Sequence, residues 1–274
     1  EIAAREFPKA QQILLPAFVR HKRAWRGWRH ARGRLAGISA GELYCLRHQR
    51  WDYHELVLTW IRAGERHVLE DPQATSWVAG RRSVRVPASP VIGLDETDQD
   101  TCRELRLHQR LLGAAWGAAP SMDMLRSVLT PRTTASGPAY AVIAPLTSTP
   151  LKDLPRETLR GLADCCALAG VACVRLVGAP GQRNELREWQ RTLAAAGWTR
   201  VEVAESVPLL GLVELLAGAA WVLAADSAAA HFATALDRPT VVLLGGGCPG
   251  QFAPWRRSSR QVWLEHPLPC YNCG

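Results

Sequence analysis

Asp226, Ser227 and His231 are residue types that could do chemistry together, at a spacing that suits the mouth of a helix. They open DSAAAHFATAL, which lies between the apolar runs WVLAA (221–225) and TVVLL (240–244). A helix N-terminus offers free N–H groups and the positive end of the helix dipole, and both suit a phosphate. Helix capping alone would also choose an Asp or Ser there. Capping does not account for His231. Counted from the helix start, His231 falls about one turn in, close enough to the mouth to donate to a phosphate or a ribose. A lone helical His is in general more often a core or surface residue than a ligand.

A second polar set lies upstream. Thr147 and Ser148 follow the apolar run AVIAPL (141–146), and Lys152 comes shortly after. Hydroxyls and N–H groups after a strand can cradle phosphate oxygens, and a Lys adds a point charge. Alone, this segment reads better as a polar loop with a solvated Lys. Paired with Asp226 to His231 at one sheet edge, it favours the ligand role. A third set, RHKRAWRGWRHARGR (20–34), holds seven Lys or Arg residues and no acid, with Trp25 and Trp28 interleaved. Arg23, Arg26, Arg29 and His30 recur at helical spacing, so one face is expected to be strongly basic. Such a run fits nucleic acid, an anionic lipid surface, or a solvated charged face.

The elements that must position these residues are clearest in the second half. Strands are predicted at 141–146, 171–177, 199–203, 221–225 and 240–244. Helices are predicted at 157–170, 185–197, 209–218 and 227–236. Strands alternating with helices imply βαβ units and a parallel sheet. Apolar runs without polar alternation fit strands buried on both faces. Open parallel sheets bind ligands outside the carboxyl ends of their strands, where Asp226 and Ser227 fall. In the first half, 11–16, 41–46 and 83–87 read as strands, and 51–63 and 99–116 as helices. TPRTTASGP (130–138) is the best linker. The expected domains are 1–135 and 136–274, both α/β. LRHQRW (46–51) and RLHQRL (106–111) look alike but set no repeat period.

The 274 residues carry a formal net charge of +8, with 47% hydrophobic and 21% charged residues. That is globular composition with a preference for anionic partners. No stretch approaches ~18 uncharged apolar residues, so no membrane span is expected. EIAAREFPKA is charged and lacks an apolar h-region, so no signal peptide is expected. The start on Glu1 suggests a trimmed chain. Eight cysteines include the neighbours Cys165 and Cys166, and Cys173 in a strand pattern. These read as reduced, buried thiols of a cytosolic protein. Cys270 and Cys273 form a lone CxxC: half of a zinc site, or two thiols at a chain end.

Asp226-Ser227-x-x-x-His231-x-Ala233-x-x-Leu236-x-x-Pro239, followed by an apolar strand and Gly245, resembles the donor-site motif of glycosyltransferase family 9. Pro249 and Pro254 resemble prolines that follow this strand in the family. The resemblance implies a GT-B fold: α/β, with two Rossmann-like domains whose parallel sheets face a cleft. It implies an N-terminal acceptor-binding domain and a C-terminal nucleotide-sugar-binding domain. APLTSTPLKDLPRE (144–157) is similar to a second family segment, with Leu154 at the usual Trp position. By resemblance, Thr147, Ser148 and Lys152 contact the donor diphosphate. VGAPGQRNELRE (177–188) occupies the loop where family members hold the nucleoside, with Glu185 as the residue for ribose or base. A first-turn acid also simply suits the helix dipole.

This chain departs from the family at two places. Ala228 stands where the family usually has Gly, and it costs free energy if that position needs φ > 0. The family's first strand, with the Gly-Asp loop that carries the proposed catalytic base, would precede Glu1, so no catalytic residue is assigned by motif. Gly245-Gly246-Gly247 reads as a phosphate-side loop or a turn. Arg23, Arg26, Arg47 and Arg50, with His48 beside them, are the acceptor-facing candidates.

The reaction the resemblance implies moves a sugar, heptose or a relative, from a nucleoside-diphosphate donor. Its acceptor is a lipopolysaccharide-core or other lipid-linked saccharide. The donor, ADP-linked, is a substrate, and no cofactor or metal is implied. Nucleic acid is not an implied partner. The resemblance implies a monomer in the cytoplasm, peripheral on the inner face of the inner membrane. One rival is a non-catalytic nucleotide-sugar or polyanion-binding module, which Ala228 and the missing first strand favour. A nucleic-acid-binding protein driven by residues 20–34 is another, but it leaves the pairing of Thr147–Lys152 with Asp226–His231 unexplained. The residues themselves name neither sugar nor nucleoside.

Overall fold

A computed structural model of the chain describes residues 25–45, 58–69, 84–86, 126, 129, 138–159, 170–245 and 259–265. The chain divides into two compact units. One holds residues 121–274 with the short pieces 1–6 and 99–102; the other holds 7–98 and 103–120.

In the second of these, helix α1 (Trp25–Leu35) precedes strand β1 (Ser39–Cys45). Strands β2 (Arg62–Leu69) and β3 (Val84–Val86) complete a parallel sheet of order β1-β2-β3. Helix α1 lies within the basic stretch. Among its described side chains, Ala31 and Leu35, one turn apart, are buried, while Arg29, His30, Arg32 and Arg34 are exposed. The strands expected at 41–46 and 83–87 are therefore present. The helix expected at 51–63 is overturned at its end: residues 58–60 are helical, but Arg62 and Ala63 already belong to β2. Strand β2, RAGERHVL, gave no apolar run because Arg62, Gly64 and Glu65 are exposed. Tyr44 stacks on His67 with ring centroids 4.5 Å apart and donates its hydroxyl to Glu42.

The larger unit is built on a six-stranded sheet in which every neighbouring pair is parallel. Its elements, in chain order, are β4 (Tyr140–Ala144), β5 (Cys173–Val177), α2 (Arg183–Ala195), β6 (Val201–Ala204), α3 (Leu209–Ala217), β7 (Trp221–Ala225), α4 (Ala228–Ala235), β8 (Thr240–Leu243) and β9 (Gln261–Leu264). Strand order is β6-β5-β4-β7-β8-β9. The chain winds outward from β4 through β5 to β6, returns to β7, and winds outward the other way. The winding reverses between β4 and β7, and open α/β sheets bind ligands at the carboxyl ends of their strands at such a switch point.

Alternate residues of each central strand enter different cores. Val142, Val222, Ala224 and Val242 pack toward α3 and α4. Ile143, Val174, Leu176 and Leu223 pack with Leu186, Trp189 and Leu193 of α2. Burial on both faces is why these strands read as unbroken apolar runs. Ala229, Ala230 and Ala233 are the buried residues of α4 near its start. Their small side chains let the helix lie close on the sheet. The two-residue link Asp226–Ser227 sets the α4 N-terminus at the end of β7.

Helix α4 stops on a residue that is not glycine. Asp237 has φ 55°, and the Arg238 N–H donates to the Ala233 carbonyl at 3.0 Å. The Asp237 carboxylate accepts from Gln261 of β9 at 3.2 Å and pairs with Arg126 at 3.6 Å. Strand β9 was not foreseen in the sequence. It is an edge strand with Val262 and Leu264 half exposed, so its burial alternates. The helix expected at 157–170 is described only at its start, where Arg156–Leu159 form a 3-10 turn. The expectations for 11–16 and 99–116 and most of 130–138 lie outside the described residues.

Candidate functional site

The loops after β4 and β7 leave the sheet at the switch point, next to each other. The β4 loop is stiffened by its own hydrogen bonds. The Thr147 hydroxyl donates to the Thr149 carbonyl at 2.7 Å and accepts from the Thr149 N–H at 3.1 Å. Asp153 Oδ1 accepts from the Thr147 N–H at 2.6 Å. Pro150–Lys152 form a 3-10 turn with proline at its start, where a missing N–H costs nothing. Leu154 donates its N–H to the Pro145 carbonyl at 2.8 Å, and its side chain is buried in the α2-side core. The residue at the family's Trp position therefore still anchors the loop.

Lys152 is not a solvated surface lysine. Its Nζ lies 3.1 Å from Asp226 Oδ2. The other oxygen of Asp226, Oδ1, is 4.0 Å from His231 Nε2. One carboxylate thus stands between an ammonium and an imidazole, at the end of β7 and the mouth of α4. Burial is the largest influence on His231 and pushes its pKa below the ordinary value. The Lys152 cation acts in the same direction, and Asp226 opposes both. Near neutral pH the uncharged imidazole is favoured, with one nitrogen able to donate and the other able to accept.

Ser227 occupies the N-cap position of α4 in extended backbone, with φ −144° and ψ 172°. Its side chain makes no capping bond. Among the described residues, Ser227 Oγ is a buried hydroxyl without a hydrogen-bond partner. The capping explanation for Ser227 thus holds for position and fails for the bond. The first-turn N–H groups of α4 and this hydroxyl sit at one place, which is what an anionic oxygen needs. Ala228 is the first helical residue and is exposed. It is not among the residues with positive φ, so its Cβ strains no backbone and the penalty considered from sequence does not arise.

Gly245 follows β8 and touches Lys152. A Cβ added to it would lie 2.9 Å from Lys152 Cγ and 3.2 Å from Lys152 Cβ. Gln182 joins two loops: its Oε1 accepts from the Ala179 N–H at 2.8 Å, and its Nε2 donates to the Thr147 carbonyl at 2.9 Å. Sequence reasoning missed Gln182 and Asp153. Neither type signals a loop brace on its own, and both act on Thr147 only once the chain is folded.

Ser148 lies exposed in the β4 loop, and Glu185 lies exposed in the first turn of α2. Thr147, Ser148, Lys152, Asp226, Ser227, Ala228 and His231 therefore gather at the β4–β7 edge, whereas Glu185 belongs to the neighbouring β5 loop and α2. Among the acceptor candidates, Arg23, Arg47 and Arg50 lie outside the described residues. So does the side chain of Arg26, whose backbone is in α1. Cys270 and Cys273 also lie outside them. Among the described residues, no group of three His, Cys, Asp or Glu is placed to hold a metal ion. No described helix is long and apolar enough to cross a membrane.

The family model for glycosyltransferase family 9 (heptosyltransferase) matches residues 85–273. Lipopolysaccharide heptosyltransferase 1 of Escherichia coli K12 is 33% identical over 111 residues, covering 40% of this chain. The matched stretch is 33% of that relative, so the chain spans about a third of its length in this match. Its counterpart in Pseudomonas aeruginosa is 39% identical over 79 residues, covering 29% of this chain and 22% of that protein. The solved structure of E. coli heptosyltransferase WaaC with ADP superposes with TM-score 0.68 at 20% identity. It covers 93% of this chain and 78% of that one. The E. coli ADP-heptose heptosyltransferase II gives TM-score 0.53 at 15% identity, covering 96% of this chain and 77% of that one. At these identities the structures show the fold, which is the GT-B fold of two Rossmann-like α/β domains.

Proposed function

The chain belongs to glycosyltransferase family 9, and from that premise we propose that it transfers a sugar from a nucleoside-diphosphate donor to a saccharide acceptor. The sugar is heptose or a close relative, the donor is ADP-linked, and the acceptor is a lipopolysaccharide-core or other lipid-linked saccharide. The WaaC structures carry ADP and ADP-2-deoxy-2-fluoro heptose, which supports an adenine nucleotide. In this reading, residues 136–274 take the nucleotide sugar and residues 1–135 take the acceptor. The exposed Arg29, Arg32 and Arg34 of α1 suit an anionic acceptor at a membrane surface in the cytoplasm.

The observation that carries the reading is the grouping of Lys152, Ser227 Oγ and the α4 N-terminus around Asp226 at the sheet's switch point. Transfer breaks the bond between the anomeric carbon and the β-phosphate oxygen. A new bond forms from that carbon to an acceptor oxygen, which loses its proton. The departing diphosphate gains negative charge. Preorganised donors and cations aimed at that charge lower the barrier. Lys152 supplies the charge, α4 supplies N–H groups and dipole, and Ser227 and His231 supply hydrogen bonds. In this reading Thr147 and Ser148, in the β4 loop, meet the diphosphate as well. In this reading Glu185, exposed in the first turn of α2, takes the ribose or base.

The test is calorimetric titration with ADP, UDP and GDP, in the native chain and in His231→Ala. Selective binding of ADP, weakened by the substitution, supports the reading. Equal binding of all three diphosphates, unchanged in His231→Ala, overturns the donor-site assignment. Binding of none moves the polyanion-binding module to the front.

A further inference from the structure

Resting on that donor-site reading, the geometry points to Gly245 as a positioning residue that acts through Lys152. Gly245 emerges from β8, the strand beyond β7, and its backbone lies against the root of the lysine side chain. The three atoms that a Cβ there would meet all belong to Lys152: Cγ at 2.9 Å, Cβ at 3.2 Å and Cα at 3.4 Å. These are the first atoms of the residue, not the far end of a flexible chain. Turning χ1 moves only Cγ and the atoms beyond it, whereas Cβ and Cα move only if the 3-10 turn shifts. The turn is held by the Lys152 N–H to the Thr149 carbonyl at 2.8 Å and the Asp153 N–H to the Pro150 carbonyl at 3.1 Å. It is anchored further by Leu154 in the core. The closest contact, with Cγ, is therefore relieved by the side chain at χ1. A change of staggered well at χ1 swings everything beyond Cβ by about 120°, which carries Nζ away from Asp226 and the α4 mouth.

Its backbone conformation does not require glycine, since its φ is not positive. Close approach is the requirement, and it fixes where the ammonium points. Glycine at the end of β8 thus belongs to the same device as the lysine at the end of β4, with β7 between them in the sheet.

The experiment is ADP titration on the full chain in four forms: native, Gly245→Ala, Lys152→Met, and the double substitution. Lys152→Met keeps the stem and removes the charge. The expected result is a loss of about tenfold or more in ADP affinity for each single change, the usual scale for a hydrogen bond to a charged group. The double substitution binds as weakly as Lys152→Met alone, because there is no charge left to misplace. An equal further loss from Gly245→Ala in the Lys152→Met background overturns the inference, since the glycine would then act by another route. Native-like affinity in a folded Gly245→Ala overturns it as well. If Lys152→Met itself leaves ADP binding unchanged, the donor-site reading fails, and the positioning role falls with it. If Gly245→Ala does not fold, Lys152→Ala is added to it to remove Cγ and the atoms beyond. Recovered folding locates the conflict at the lysine stem, and continued failure to fold overturns the inference.

Discussion

Lys152 and Asp226 make a pair whose two halves are expected to act on ADP binding with opposite signs. The ammonium lies 3.1 Å from the carboxylate, with the lysine side chain 35% exposed and the aspartate 19% exposed. A diphosphate at the α4 mouth meets an attracting charge and a repelling one. Removing the attraction in Lys152→Met forfeits a charge-assisted hydrogen bond, about 1.5–3 kcal/mol. That is roughly a ten- to hundredfold loss of affinity. Removing the repulsion in Asp226→Asn works the other way. Two unit charges about 4 Å apart interact by about 1 kcal/mol in water and about 4 kcal/mol at an effective dielectric of 20. The pair is part-buried, so the interaction lies above the lower figure. Asp226→Asn is therefore expected to tighten ADP binding by about fivefold or more.

Stability separates this from a merely structural ion pair. A pair that keeps some contact with solvent, as this one does, contributes roughly 0–1 kcal/mol. Neither substitution is expected to lower the denaturation free energy by more than about 1 kcal/mol. The assay is ADP calorimetry beside urea denaturation for the two variants. If Asp226→Asn weakens ADP binding as Lys152→Met does, the carboxylate accepts a hydrogen bond from the nucleotide, and the charge argument is refuted. If both variants are strongly destabilised while ADP affinity is unchanged, the pair serves the fold, and the site lies elsewhere.

Two further outcomes follow from the α4 mouth. Because burial lowers the His231 pKa below 6.5, the unfolded chain binds this proton before the folded one does as pH falls. Stability from this source is full above pH 6.5 and is lost as pH drops from there toward the folded-state value; thermal melts of the native chain and His231→Gln should diverge over that window. Ser227→Ala removes a hydroxyl that makes no cap bond, so its stability cost should fall well below the ~1 kcal/mol of a working N-cap, while ADP affinity drops; a full capping penalty with unchanged ADP binding would return Ser227 to a structural role.

The order of strands and helices in the larger unit was legible because its strands are buried on both faces. WVLAA is apolar throughout and VACVRLV is apolar but for Arg175, and helices of about ten residues separate such runs. Legibility ended where burial became one-sided. Strand β9 alternates between buried Gln261 and exposed Val262, which inverts the usual polarity of a strand face. Gln261 is buried because Asp237 accepts its amide, a partner 24 residues away that no local pattern announces. Strand β2 carries Arg62, Glu65, Arg66 and His67, a composition that suits a helix end as well as an exposed strand. Tertiary context decided both cases.

The candidate site was legible as residue types and illegible as a device. Helix-mouth chemistry picked out Asp226, Ser227 and His231, and loop chemistry picked out Lys152. What each does depends on a fact of topology: β4 pairs with β7, although β5 and β6 intervene in the chain. That pairing sets Ala144 beside Ala224, so the two loops start side by side. Lys152 then meets Asp226 across 74 residues of sequence. Gly245 follows from the next pairing outward, with Ala225 beside Leu243. A glycine after a strand reads as a turn when met in the sequence. Beside the lysine stem it is the absence of a methyl group that leaves the ammonium aimed at the helix mouth. The chemistry resides in the side chains, and the strand order converts their separation along the chain into contact.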